Sequence, residues 1–400
     1  MQLLASDIEN SLGKSSWIRR MFEAGIELKR QYGAENVFDF SLGNPDLPSP
    51  AGTGDVLRRL ADAAEKPLAF GYCPNAGLPE VRARLAQLLA REQAAEVGPE
   101  HIVMTVGAAG GLNAFFRSVL EAGDEVLCPA PYFVEYGAYV GHYGGKLVAV
   151  PMPAPAFGLD VAALASAVNE RTRVILINTP NNPTGAIYGA AELAGLGALL
   201  ERINRNRERP VYLVSDEPYR LLCYDGAEVP PILPISPFSV VVGSYSKSLS
   251  LAGERIGYLL VNPALPGAAK VIAALTLTTR TLGFVNAPVI GQRLVGALCE
   301  SGVDVAVYER RRAAMAEVLQ AAGLEFAMPR GAFYFFVAAP GGDDQAFVQH
   351  LAGEKILAVP GRGFGYPGYF RTTFCMDEAI IRRSRPAFER AAASWKSPIR

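Results

Sequence analysis

Between residues 101 and 262 the chain repeats one pattern: a short run that is apolar at nearly every position, then a longer stretch. HIVMTVG (101–107), DEVLCPAP (124–131), RTRVILINTP (171–180), VYLVSDEPY (211–219), SVVVGSYSK (239–247) and RIGYLLVN (255–262) are the short runs. A strand with one wet face alternates polar and apolar residues. These runs do not, so both of their faces are buried. Two of the intervening stretches, GGLNAFFRSVLEAG (110–123) and AAELAGLGALLERINR (190–205), carry apolar residues at helical spacing. Strands buried on both sides and joined through helices predict an α/β fold, a mostly parallel sheet with helices on both faces.

The rest of the 400 residues reads differently. A helix is expected over SSWIRRMFEAGIELKRQYG (15–33), before the strand-like NVFDFSLG (36–43). Helical spacing runs through GALCESGVDVAVYERRRAAMAEVLQAAG (296–323), and strands are expected at GAFYFFVAA (331–339) and GYFRTTFCM (368–376). DEAIIRRSRPAFERAAASW (377–395) reads as a closing helix. A chain this long exceeds one ordinary core. The expected division is a large domain at 46–295 and a smaller α+β domain at 296–400, with residues 1–45 as an arm folded onto it.

Bulk properties remove several classes of function. A net charge of −1 argues against nucleic acid as a partner. The five cysteines form no CxxC pair, which fits reduced thiols in a cytosolic protein. No apolar run reaches the roughly 20 residues of a membrane helix, and the N-terminus carries acids rather than a secretory core. A cytoplasmic location is therefore expected. Three scattered histidines accompany no HExxH or GxSxG stretch, so neither a metal centre nor a serine triad is expected.

In an open parallel sheet, ligands sit beyond the carboxyl ends of the strands. The residues found there are TVGAAGG (105–111), PYFVEY (131–136), NTPNNPTG (178–185), SDEPY (215–219) and SYSK (244–247). An aspartate one residue past YLV, and a lysine shortly after a VVV run, would each cost free energy as scaffold. Lysine is also scarce, eight among the 38 lysines and arginines. A glycine–alanine loop opening a helix offers bare backbone N–H groups to a phosphate. A phosphate, an aromatic ring and an electrophilic carbon would satisfy the whole set, and pyridoxal 5′-phosphate has all three.

The S-x-S-K stretch with its trailing ERIGY, the NNPTG loop, SDEPY and FGYCPNAGLPEVR together resemble the fold-type I, class I/II aminotransferases that use pyridoxal phosphate. The likeness runs from SLGNPD (41–46) to GYFRTTF (368–374). It implies that Lys247 forms a Schiff base with the cofactor and shuttles the substrate proton. Asp216 would face the pyridine nitrogen, Tyr219 and Asn182 the phenolic oxygen, and Phe133 the ring face. Ala108 and Ala109 would meet the phosphate through backbone N–H groups, joined by Ser244, Ser246 and Arg255. Tyr72 would reach the phosphate of a neighbouring subunit, which makes a homodimer the expected assembly. Arg371 would clamp the substrate carboxylate, with Gly43 approaching it through its backbone and Asn182 reaching toward it.

The implied reaction is ping-pong transfer of an amino group from an L-amino acid to a 2-oxo acid. The same scaffold also runs β-elimination (C–S lyase chemistry) and decarboxylation, and the sequence does not separate these. Nor does it name the donor: Arg280, Arg362 and Lys14 are equal candidates for a second cation facing a dicarboxylate. GRGFG (361–365) lies outside the parallel region and is set aside as a nucleotide loop. Arg310 to Arg312 are expected on a solvated helix face.

Overall fold

The computed structural model describes residues 3–6, 8, 9 and 17–395, which form two compact units. The larger comprises Pro45–Val305 with Arg330–Ala332, and the smaller comprises the described residues up to Asn44 with Ala306–Pro329 and from Phe333 onward.

The larger unit is built on a seven-stranded sheet. Its strands are β1 (Ile102–Val106), β2 (Glu125–Ala130), β3 (Lys146–Pro151), β4 (Thr172–Asn178), β5 (Tyr212–Asp216), β6 (Ser239–Ser244) and β7 (Ile256–Val261). They lie in the order β1-β7-β6-β5-β4-β2-β3. Every pairing is parallel except those of β7 with β1 and β6. Six of these strands coincide with the apolar runs. The seventh, β3, has five half- or fully exposed residues beside its one buried valine, so its burial pattern carries no such signature.

Alternation along each strand feeds two cores. Ile102 and Met104, Ile175 and Ile177, Leu213, Val241 and Leu260 enter one core, with Leu85 and Leu89 of helix α1 (Pro79–Glu92). Val103, Val174 and Leu176, Val214, Val240 and Val242, Leu259 and Val261 enter the other. That core is covered by Leu112, Phe115 and Phe116 of helix α2 (Gly107–Val119). Each fully buried aliphatic or aromatic side chain contributes roughly 1.5–3 kcal/mol, which is why polar residues in these strands are confined to their ends.

Helix α3 (Ala190–Asn204) is followed by α4 (Ala268–Thr281) and α5 (Val289–Leu298). The expected domain boundary at 295/296 falls inside α5. That helix buries Leu294, Val295 and Leu298 in the larger unit, which consequently runs on to Val305. The stretch 296–323 is also not one helix. It holds the end of α5, a break containing Gly302, and α6 (Val305–Ala321).

In the smaller unit a helix at Trp17–Tyr32 precedes a two-residue strand, Phe38–Asp39, paired with Ile356–Leu357. Strands β8 (Tyr334–Ala338), β9 (Val359–Pro360) and β10 (Tyr369–Thr373) form an antiparallel sheet with β10 in the middle. The closing helix is two helices, Glu378–Arg383 and Arg385–Ser394, because Pro386 cannot continue the first. The expected solvated face at Arg310–Arg312 is corrected: Arg311 and Arg312 are buried. Arg312 Nη1 donates to Pro329 O at 2.9 Å, and the Arg311 guanidinium lies 5.6 Å from the Tyr308 ring centroid. The polar pattern concealed a helix face whose charges are spent inside the unit. Residues 361–364 form a 3-10 turn. No helix among the described residues is long and apolar enough to cross a membrane.

Candidate active site

Strand register sets neighbouring ends side by side in the larger unit. Asn178 pairs with Asp216, Asp216 with Val242, and Ser244 with Gly257, which in turn pairs with Thr105. Adjacent strands lie about 4.8 Å apart, so these ends form one rim.

Asp216 closes β5 on the α2 side of the sheet, the side that Val214 also faces. It is 5% exposed. Tyr136 Oη donates to its Oδ2 at 2.5 Å, while its buried Oδ1 accepts no hydrogen bond among the described residues. Burial pushes the carboxyl up from 3.8 to about 7; the Tyr136 hydrogen bond opposes this, and the neighbouring Glu217 charge adds to it. The Tyr136 phenol is itself pushed up, by burial first and then by the Asp216 charge. Phe133 stands edge-on to Tyr136, ring centroids 5.5 Å apart.

The NTPNNPTG loop shows why asparagine recurs in it. Asn178 Nδ2 donates to Asp216 O at 2.8 Å, and Asn178 Oδ1 receives the backbone N–H of Asn182 at 2.7 Å. Asn181 holds the turn, its Oδ1 accepting from Thr184 N and Thr184 Oγ1. The turn-forming role therefore belongs to Asn181 and Asn178, and Asn182, 5% exposed, is held between them and the sheet.

Lys247 follows β6 in a turn whose carbonyl receives Ser250 N, and its Nζ lies 5.9 Å from the Tyr219 ring centroid. Tyr219 is buried three residues beyond Asp216. Ser244 Oγ donates to Ser246 Oγ at 2.9 Å and accepts from Ser246 N, so the two hydroxyls are clustered at the end of β6.

Beside them α2 begins at Gly107, whose φ of +65° favours glycine. A Cβ on Gly107 would lie 2.9 Å from Arg255 Nη2, which places that guanidinium on the first turn of α2. A Cβ on Gly257 would lie 2.8 Å from Gly107 C and 3.0 Å from Ala108 N. Glycine at 257 is thus what lets the helix start settle onto the sheet. The N–H groups of Ala108 and Ala109 belong to the first turn of α2, where helix N–H groups have no intrahelical partner.

These residues fit pyridoxal phosphate. The buried Asp216 Oδ1 is an acceptor awaiting a cationic N–H. The helix start with Arg255 and two serine hydroxyls suits a dianionic phosphate, and Phe133 offers a ring face.

Two expected site residues belong to the smaller unit. Arg371, on β10, is 3% exposed, which does not suit a surface ion pair. Its guanidinium carbon lies 4.5 Å from the Tyr334 ring centroid and 4.8 Å from that of Phe364, and Nη2 donates to Ser41 O at 2.5 Å. A Cβ on Gly43 would overlap the Tyr334 hydroxyl, so that backbone runs tightly against the ring. Tyr72 is 91% exposed. It lines an open groove with Phe70, Phe284, Val285 and Ile290. Of the three candidate second cations, Arg362 is engaged by Asp344 through Nη2 at 2.8 Å and Nε at 3.1 Å. Arg280 is exposed, and Lys14 lies outside the described residues.

Sequence reasoning noted Tyr136 only as an aromatic and gave Asn178 no role. The spacing of Tyr136 three residues after Phe133, which brings both onto one side of a turn, was the available signal.

The family model for aminotransferase class I and II matches residues 35–385. A probable aspartate/prephenate aminotransferase of Aquifex aeolicus is 33% identical over 88% of this chain and 91% of its own length. The aspartate/prephenate aminotransferase of Thermus thermophilus is 32% identical over 91% and 93%. Among solved structures, an amino transferase from Eubacterium rectale superposes with a TM-score of 0.93 at 37% identity, covering 98% of both chains. Thermus thermophilus aspartate aminotransferase with maleate gives a TM-score of 0.85 at 28% identity, over 98% of this chain and all of that one.

Proposed function

From the premise that this chain belongs to the class I and II aminotransferases, which are pyridoxal-phosphate enzymes, we propose how its own residues divide the work. The reaction class is transamination, an amino group passing from an amino acid to a 2-oxo acid. Bound pyridoxal phosphate supplies an electron sink that stabilises charge developing at the substrate Cα.

Asp216 Oδ1 accepts the N–H of the protonated ring nitrogen, and Tyr136 holds the other carboxylate oxygen so that the acceptor cannot rotate away. Lys247 Nζ would hold the cofactor and would move the proton to and from the substrate Cα. Tyr219 and the Asn182 side chain orient the ring through its phenolic oxygen, and Phe133 covers one ring face. Ala108 N, Ala109 N, Ser244, Ser246 and Arg255 bind the phosphate. Arg371 forks onto the substrate α-carboxylate, supported by the Gly43 backbone of the same unit. Its guanidinium is steadied by the Tyr334 and Phe364 rings, and its planar fork matches a carboxylate.

The observation that carries this reading is the buried Asp216 carboxylate, with one oxygen unpartnered among the described residues, at the strand-end rim that Lys247 follows and where α2 starts. We further propose a cytoplasmic homodimer in which a second copy covers the groove around Tyr72, and Tyr72 reaches that copy's phosphate site. A 91% exposed tyrosine among apolar neighbours fits such a role. The relatives are named for aspartate and prephenate, so aspartate with 2-oxoglutarate is the first donor and acceptor pair to assay.

The test is direct. Purified protein with added pyridoxal phosphate is expected to show a visible absorption band, and borohydride followed by peptide mapping is expected to place the adduct on Lys247. Amino-acid addition alone should convert the cofactor stoichiometrically, and an oxo acid should restore it. Release of ammonia or carbon dioxide in place of that reversible half-reaction would replace transamination by elimination or decarboxylation. A protein that gains no band abolishes the reading.

A further inference from the structure

The segment Asp216-Glu-Pro-Tyr-Arg220 divides its side chains between two environments. Asp216 and Tyr219 are the cofactor-facing members of the reading above, on which this inference rests. Glu217 and Arg220 point elsewhere. Ser215 and Glu217 lie on the opposite sheet face from Asp216, the face Leu213 shares, and Ser215 Oγ donates to Glu217 Oε1 at 2.8 Å. The Glu217 side chain is fully buried, and Arg220 Nη1 donates to its Oε2 at 2.7 Å. Gln93 Nε2 donates to the same oxygen at 3.3 Å, while Gln93 Oε1 receives Ile232 N.

The Arg220 guanidinium reaches further. Nη2 donates to Glu92 O at 2.9 Å and to Val229 O at 3.0 Å, and Nε lies 3.5 Å from Glu92 Oε2. One arginine thus ties the turn after β5 to the end of α1 and to the segment at 229. The backbone is pinned as well: Glu217 N donates to Val242 O at 2.8 Å, and Arg220 N to Glu217 O.

We propose that Glu217 and Arg220 are positioning residues for the cofactor site: their buried pair, on the far face of the sheet, fixes the turn from which Asp216 and Tyr219 project. A buried ion pair contributes little net stability over apolar residues of similar volume, so stability alone is a weak reason for this chain to hold one there. What the pair provides is directional constraint. Glu217 accepts from three donors on two segments, and a planar five-donor fork at Arg220 fits three acceptors at once, which lysine cannot. Displacement by about 1 Å at a reacting group can cost about a hundredfold in rate, so a turn that carries two cofactor contacts benefits from such fixing. The charges also bear on Asp216. Burial raises the Glu217 carboxyl and Arg220 opposes part of that rise, while the Glu217 charge adds to the rise at Asp216.

The experiment compares wild type with Glu217→Gln, Arg220→Lys, Ser215→Ala and Asp216→Asn. Three readouts are followed: the pyridoxal-phosphate dissociation constant, the absorption maximum of the bound cofactor at fixed pH, and kcat set against KM. Positioning predicts that Glu217→Gln and Arg220→Lys weaken cofactor binding about tenfold, on the scale typical of partners that orient a ligand-holding group, and displace the absorption maximum. The loss should fall on kcat more than on KM. Ser215→Ala removes a single hydrogen bond to Glu217 and keeps the test alive if the ionic variants do not fold; it is expected to shift the same readouts in the same direction by less. Variants that melt like wild type and leave affinity and spectrum unchanged, while Asp216→Asn disturbs both, overturn the positioning role alone. If Asp216→Asn is also silent, the site reading falls and this inference falls with it.

Discussion

Removing the Asp216 charge should make the cofactor-free protein more stable, and increasingly so as the pH rises. The carboxyl is raised from 3.8 to about 7 by burial, so the native state binds its proton more tightly than the unfolded chain does. Below pH about 4 both states are protonated and the group contributes nothing. Between about 4 and 7 the unfolded chain ionises while the native state resists, so stability falls; above about 7 both are ionised and the deficit is constant. A rise of about three pH units, at about 1.4 kcal/mol each, makes that deficit about 4 kcal/mol. Asp216→Asn keeps an oxygen to accept from Tyr136 Oη but cannot ionise, so it should escape the deficit. The assay is urea unfolding of the cofactor-free proteins at pH 4, 5, 6, 7 and 8. The difference between variant and wild type should grow by about 4 kcal/mol across the series and flatten at the top. The same variant with pyridoxal phosphate should bind it less tightly than wild type, so the stabilising change is the one that harms function. A difference independent of pH, or a wild type that gains stability relative to the variant through this window, would refute the argument from burial.

Three other perturbations probe separate contacts. Arg371→Lys keeps the charge but loses the planar fork; the donor KM should rise about tenfold or more while the affinity for pyridoxal phosphate stays unchanged, as read by steady-state kinetics and cofactor titration. Tyr136→Phe removes the hydrogen bond to Asp216 Oδ2, which lets burial raise that carboxyl further; it should weaken cofactor binding several-fold and lower the stability of the cofactor-free protein near neutral pH by about 1–3 kcal/mol in urea unfolding. Gly257→Ala inserts a Cβ 2.5 Å from Gly243 O and 3.0 Å from Ala108 N; it should destabilise the protein by about 1–3 kcal/mol in urea unfolding and lower phosphate-dependent affinity, measured as a larger loss for pyridoxal phosphate than for pyridoxal.

What the sequence revealed and what it withheld divide along a physical line. Strands buried on both faces must be apolar throughout, so the sheet was legible except at β3, which lies at the edge, paired only with β2, and is largely exposed. Polar residues at the ends of such strands stood out because each would otherwise carry a desolvation cost, and this marked Asp216 and Lys247. Partnerships between distant segments leave no comparable trace. Nothing in the order of residues joins Tyr136 to Asp216, 80 positions apart, or Arg220 to Glu92, 128 apart from it. Charge in a helical pattern is ambiguous for the same reason: Arg311 and Arg312 read as surface because their acceptors and aromatic neighbours lie on separate turns and segments, visible only once folded. The SDEPYR stretch shows the two kinds of information side by side. The half proposed to face the cofactor could be inferred from a strand ending in acid, whereas the half proposed to fix the turn depends on Glu92, Gln93 and Val229, whose approach is decided by how α1 and the loop beyond β5 pack. The least legible part of a site of this kind is therefore its support, and it is there that substitutions far from the reacting atoms should alter the chemistry.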